Sequence, residues 1–259
     1  MNRIASDGLV YYQFEMWGGV KHGVFTRRGG TSAAPFASLN LGGNVGDDPR
    51  AVRSNHERMY ASLGVDEGGV CSVWQVHSAD VIIANAPVGG RRWLARADAM
   101  MTDRAGITLS MRFADCVPIL FRDPARGVIA MAHAGWRGTV QGIVAETVRA
   151  MSATYGSRPA DIQAGIGPSI GPEHYQVGEE VVDAVREHFG ATDGLIRRDP
   201  ADGSAYLDLW AANRLDLERA GVAQIEIAGI STADHTDEFF SHRAEKGRTG
   251  RFGAVLCLS

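Results

Sequence analysis

Residues 117–133 read VPILFRDPARGVIAMAH. Two apolar runs, VPILF (117–121) and GVIAMAH (127–133), flank the polar segment RDPAR (122–126). Short apolar runs bounded by turn residues predict two strands. Asp-Pro at the head of the connection favours a type I turn, so the pair reads as a hairpin. With Asp123 opposite Arg126, Cys116 falls directly opposite His133, their Cβ atoms roughly 4.5–5.5 Å apart. A bulge at Gly127 would instead move the register by one residue and put the two on opposite faces. The second run ends on His133 and passes at once into AGWRGT (134–139). A strand buried only for packing needs no such ending, whereas a site for a metal or a phosphate does.

Outward from the hairpin, four helices are predicted. Asp48 followed by Pro49 gives an N-cap with Pro at N1, and the helix runs to about Leu63 before Gly64. A second covers about 139–155, with Val140, Ile143, Val144, Thr147, Val148 and Met151 on one stripe. A third covers about 179–189 and stops at Gly190. The fourth covers about 209–219 and stops at Gly221. Strand-like runs cover 70–77, 81–84, 107–113, 117–122, 127–133, 225–230, 239–243 and 253–258. Helices mixed with strands that are neighbours in sequence predict an α/β (α+β) fold with a partly antiparallel mixed sheet. No G-x-x-x-x-G-K-[ST] and no G-x-G-x-x-G between strand and helix occurs, so neither a P-loop nor a Rossmann site is expected.

The chain has 259 residues, 45% hydrophobic and 22% charged, with a formal net charge of −4. This is globular composition, and it lacks the basic footprint of a nucleic-acid binder. Three cysteines, Cys71, Cys116 and Cys257, are far apart and odd in number, which fits a reducing compartment better than a disulfide framework. The first nineteen residues hold no long apolar run, and no run of about 18 apolar residues occurs anywhere. A cytoplasmic protein with no membrane partner is expected.

His77 ends the run CSVWQVH (71–77), so three metal-binding residue types sit at or beside strand ends: His77, Cys116 and His133. Two imidazoles and one thiolate suit Zn²⁺ with a fourth position left for water, and copper competes on affinity. Such residues also occur in cores with no metal at all. Asp115 either orients a ligand histidine, accepts a proton, or caps a turn. Arg137, just before the long helix, marks a candidate anion site. Arg27, Arg28, Arg243, Arg248 and Arg251 are further cations that could join the same pocket.

The segments QVHSADV, ADCVPILFRD, AHAGWRGT, GIGPSIG and FFSHRAEKGRTGR follow one another in this order, preceded by TRRGGTS and LNLGGNVGDD. The set resembles the YfiH family, whose members carry the labels laccase-domain protein, polyphenol oxidase, purine nucleoside phosphorylase and peptidoglycan editing factor. The resemblance implies one domain over 1–259, a layered α/β sandwich related to the cytotoxic-necrotizing-factor type of cysteine hydrolase. It implies a zinc site on His77, Cys116 and His133. It implies phosphorolysis of adenosine, inosine and methylthioadenosine, a pentosyl transfer with nucleoside and phosphate as partners, and adenosine deamination as a second activity. In that reading Cys116, His133 and Asp115 are catalytic, and Arg28, Arg137 and Arg243 hold phosphate. The alternatives are an amidase that edits peptidoglycan precursors, with Cys116 as nucleophile, and a copper-dependent polyphenol oxidase. The chain departs from the family pattern at Ser78 (often Gly), Ser169 (often Cys), Ser231-Thr232 (often Cys-Thr) and Ala244 (often Arg).

Overall fold

The hairpin forms in the computed structural model, which describes residues 1–88 and 92–258. Its strands are Val117–Asp123 and Val128–Ala134, antiparallel. The turn between them is longer than expected. Asp123 pairs with Val128, not with Arg126, and Pro118 lies opposite His133. The Asp123 carboxylate accepts from the backbone N–H of Ala125 and Arg126, and Gly127 closes the turn at φ +64°. The register therefore slips by two residues. Because side chains alternate with period two, a slip of two preserves the face where a slip of one would have reversed it. Cys116 and His133 still share a face, diagonally instead of directly opposed.

Both faces of this hairpin are buried, which explains its continuous apolar runs. On one face Ile119, Phe121, Ala130 and Ala132 pack against the helices Ile143–Tyr155, Glu179–Phe189 and Leu209–Arg219. On the other, Leu120, Ile129 and Met131 meet Leu109, Met111, Phe252 and Ala254 of a second sheet. The hairpin sheet has six strands, in the spatial order 224–227, 163–166, 117–123, 128–134, 99–102, 81–83. The second also has six, in the order 2–6, 9–13, 21–25, 252–257, 108–113, 70–71. Its outer face is covered by the helix Pro49–Ser62, whose Met59 and Tyr60 pack with Leu41 and with Val255 of the sheet. The result is four layers: helix, sheet, sheet, helices. Each fully buried aromatic such as Phe121 or Phe252 contributes about 1.5–3 kcal/mol by leaving water.

Several expectations are corrected. The 139–155 helix breaks at Gly142, which lies in the left-handed region at φ +76°, giving Trp136–Val140 and Ile143–Tyr155. The 70–77 run pairs only at Val70–Cys71 and through a bridge at Trp74. Residues 239–243 are not a strand: Phe239 and Phe240 are fully buried core side chains on an irregular segment, so burial alone accounts for their apolar character. The second sheet also contains three strands outside the expected runs, Asn2–Ser6, Leu9–Gln13 and Lys21–Phe25. No helix among the described residues is long and apolar enough to cross a membrane.

Candidate metal centre

Cys116 immediately precedes one hairpin strand and His133 sits near the end of the other. Antiparallel pairing brings both to the same end of the sandwich, and alternation points both into the space between the sheets. His77 enters from the loop after the Val70–Cys71 strand. One nitrogen of each histidine and the Cys116 sulfur all lie within 4.8 Å of one another. The two imidazole rings stand edge to face at 5.0 Å. Among the described residues this is the one group of three such donors close enough to share an ion. Two backbones are strained to achieve it: His77 at φ +62° and Asp115, next to Cys116, at φ +79°.

Gly135 leaves the centre its room. A Cβ there would stand 2.8 Å from the Cys116 sulfur and 3.2 Å from His77 Cδ2. Donor chemistry and cradle together fit a metal ion. Gly135→Ala is therefore expected to weaken metal binding at least tenfold by displacing Cys116, with little loss of fold; unchanged metal affinity in a chelator competition would refute this.

The residue that orients the centre is Asp98, which sequence reasoning did not single out. Its side chain is fully buried. One carboxylate oxygen accepts from His133 Nδ1 at 2.8 Å, which leaves Nε2 for an ion. The other accepts from the N–H of Val76, and from both the N–H and the hydroxyl of Ser78. One carboxylate thus ties the His77 loop to the His133 strand. Ser78, a departure from the family pattern, adds a bond that glycine could not supply. Burial raises the Asp98 pKa, but the His133 hydrogen bond and charge outweigh it, and the group falls to about 2. Burial likewise disfavours charge on Cys116 and His133, yet their mutual attraction lowers the thiol and raises the imidazole.

Asp115 does not orient a ligand histidine. Its carboxylate accepts from Thr232 Oγ1 at 2.7 Å and from the Arg243 backbone N–H at 2.6 Å, fixing two loops to the wall of the site. Ser169, another departure, accepts from Trp210 Nε1 at 2.6 Å. The centre opens into a cleft of ≈1130 Å³ whose wall includes Asp115, Arg137 and Arg243. Arg28 is not brought there; it is held by the carboxylate and backbone carbonyl of Asp237. Arg27, paired with Glu245, and Arg248 also lie off the cleft wall, whereas Arg251 is on it. Arg112, which the sequence did not flag, lines it as well. Among the described residues, no carboxylate lies within ion-pair distance of the guanidinium groups of Arg112, Arg137, Arg243 or Arg251. A chain of net negative charge has gathered unneutralised cations around one metal-binding group.

Residues 21–259 match the family model described as multi-copper polyphenol oxidoreductase laccase. A protein named purine nucleoside phosphorylase from Deinococcus radiodurans is 41% identical over 239 residues, covering 92% of this chain and 89% of the relative. The chain belongs to this laccase-domain family. A second member, purine nucleoside phosphorylase YlmD from Geobacillus stearothermophilus, is 40% identical over 92% of this chain and 90% of its own length. The crystal structure of that YlmD superposes with a TM-score of 0.92, covering 98% of this chain and 97% of that one. The Bacillus licheniformis YfiH structure also gives 0.92, at 35% identity, over 98% of this chain and 97% of that one. The four-layer mixed α/β architecture is therefore that of the laccase-domain family.

Proposed function

We propose that this chain is a zinc-dependent purine nucleoside phosphorylase acting on adenosine, inosine and methylthioadenosine, with adenosine deamination as a second activity. The observation that carries the reading is the meeting of His77, Cys116 and His133 in a cleft whose wall includes Arg112, Arg137, Arg243 and Arg251, guanidinium groups with no carboxylate in ion-pair distance among the described residues. Relatives named purine nucleoside phosphorylase support it. Phosphorolysis forms a bond from a phosphate oxygen to C1′ of the sugar and breaks the bond from C1′ to the base nitrogen. The bonding pair leaves with the purine, which takes up a proton, and the sugar departs as its 1-phosphate. The arginines offset the charge of phosphate and hold it beside the sugar. A zinc ion on His77, Cys116 and His133 would supply a Lewis acid with an open position. Asp98 holds His133 in the tautomer such an ion requires. For deamination, Asp115, a carboxylate on the cleft wall next to Cys116, would move protons.

The assay is direct. Inosine with phosphate should yield hypoxanthine and ribose 1-phosphate, and inosine without phosphate should not. Absence of phosphate-dependent base release from all three nucleosides would end this reading.

One observation favours a second reading. Cys116, His133 and Asp98 are arranged as a nucleophile, a base and its orienting carboxylate, the arrangement of a cysteine hydrolase. A covalent acyl adduct on Cys116 with an amide substrate would support it. The third donor, His77, has no role there. Copper-dependent phenol oxidation would have to proceed at this same group.

A further inference from the structure

We infer that the part of the cleft lined by Arg251 and Arg112, beside the helix Pro49–Ser62, is the seat of a tetrahedral phosphate oxyanion. The inference deepens the phosphorolysis reading and rests on it for the identity of the anion.

Arg112, Arg137, Arg243 and Arg251, four of the arginines that line the cleft, fall into two kinds. Arg137 and Arg243 are exposed at the rim. The Arg137 guanidinium lies 4.4 Å from the Trp136 ring centroid, and that of Arg243 donates to the Gln176 carbonyl at 2.9 Å and lies 5.3 Å from the Tyr175 ring. Arg112 and Arg251 are part-buried. Taking a guanidinium out of water is costly unless an anion meets it there. Burial lowers the pKa of both, which records that cost, and Arg251 also feels the opposing charges of Cys116 and Asp115. Arg251 is therefore within electrostatic reach of the metal-binding group.

Backbone geometry puts the two on one surface. Arg112 pairs with Gly253 across the antiparallel strands 108–113 and 252–257. Arg251 lies two residues before Gly253, so alternation projects it to the same face. Both then line the cleft. The donor count leaves capacity for a ligand. Arg112 donates to the Ser72 hydroxyl and the Val73 carbonyl, and Arg251 to the carbonyls of Thr249 and Gly250. Each guanidinium has five N–H groups, so each keeps some for an oxyanion.

The LNLGG segment holds Arg251 in place. Asn40 Oδ1 accepts from the backbone N–H of both Arg251 and Gly42. A Cβ on Gly42 would stand 2.8 Å from Arg251 Cγ. The glycine thus makes space for the arginine stem, and Gly42, Gly43 and Asn44 continue the cleft wall beside it. Two motifs far apart in sequence, LNLGG and GRTGR, meet at this residue.

The test is titration of the metal-loaded protein with inorganic phosphate and, separately, with a nucleoside 5′-monophosphate, read by calorimetry. Arg251→Gln should weaken one of them roughly ten- to a hundredfold, with bound metal and inosine affinity unchanged. Loss for inorganic phosphate assigns the seat to the co-substrate; loss for the monophosphate alone assigns it to a phosphoryl group on the nucleoside. Gly42→Ala, which keeps every charge but displaces the Arg251 stem, should weaken the same ligand and serves if Arg251→Gln fails to fold. Wild-type affinity for both ligands in the folded variant overturns the seat, as does failure of the wild-type protein to bind either. Binding is read without turnover, so a protein that binds phosphate at Arg251 yet cleaves no nucleoside would end the phosphorolysis reading and leave the seat standing.

Discussion

Cys116→Ser and His77→Asn are each expected to remove the bound metal and to lower kcat/KM for inosine phosphorolysis about a thousandfold or more. That factor is the several kcal/mol of charge stabilisation a bound metal ion supplies. The two substitutions are chosen to spare the fold. Serine keeps the volume of Cys116 but replaces the thiolate with a hydroxyl that is a poor zinc ligand. Asparagine tolerates the left-handed conformation that residue 77 adopts, and the His77 side chain is exposed, so its packing contributes little. His133→Ala is a poorer probe, because it leaves the buried Asp98 carboxylate without its ring partner. Metal content by elemental analysis, set beside steady-state rates, separates the readings. Joint loss in both variants supports a three-donor centre. A His77→Asn protein that turns over at the wild-type rate, while Cys116→Ser is dead, would make Cys116 a nucleophile paired with His133 and refute the metal-dependent mechanism.

Asp98→Asn should weaken metal binding about ten- to a hundredfold although Asp98 is not itself a proposed ligand. The carboxylate receives donors on both oxygens, from His133 on one and from Val76 and Ser78 on the other. Asparagine has one acceptor oxygen, so its NH₂ must face either the His133 N–H or the two backbone N–H groups. Either choice loosens one histidine of the group. The same substitution has a pH signature in the metal-free protein. Asp98 is depressed from 3.8 to about 2 in the fold. A depressed carboxylate stabilises the native state above its unfolded pKa and loses that contribution as pH falls through the folded value. The wild type should therefore lose about 2 kcal/mol between pH 4 and pH 2 from this group, the free energy of that shift. Urea unfolding across that interval should show the loss in wild type and a flatter profile in Asp98→Asn. Parallel profiles would show that Asp98 carries no such load.

The hairpin shows how far sequence reading reached and where it stopped. Cys116 and His133 on one face or on opposite faces were both open readings, whereas the two strands were legible, because apolar runs bounded by turn residues are a local property of the chain. The register was not. The carboxylate of Asp123 and the left-handed Gly127 made a four-residue connection where a tighter turn was expected, and only the even parity of the slip kept the two ligand types together. The helices expected at about 179–189 and 209–219 form over Glu179–Phe189 and Leu209–Arg219, because Gly190 and Gly221 mark where each must stop. Phe239 and Phe240 misled, since buried aromatics look alike in a strand and in an irregular core segment.

By itself the sequence determined the mixture of helices and strands, the faces of the core strands and the residue types able to hold a metal. Those follow from side-chain chemistry and from periodicities a few residues long. Only tertiary structure decided that Asp98 orients His133, that Arg251 and Arg112 reach the cleft while Arg28 is spent on Asp237, and that LNLGG meets GRTGR. Each of these joins segments tens to hundreds of residues apart, and such meetings are set by how two sheets stack, a global packing condition that leaves no local mark on the chain.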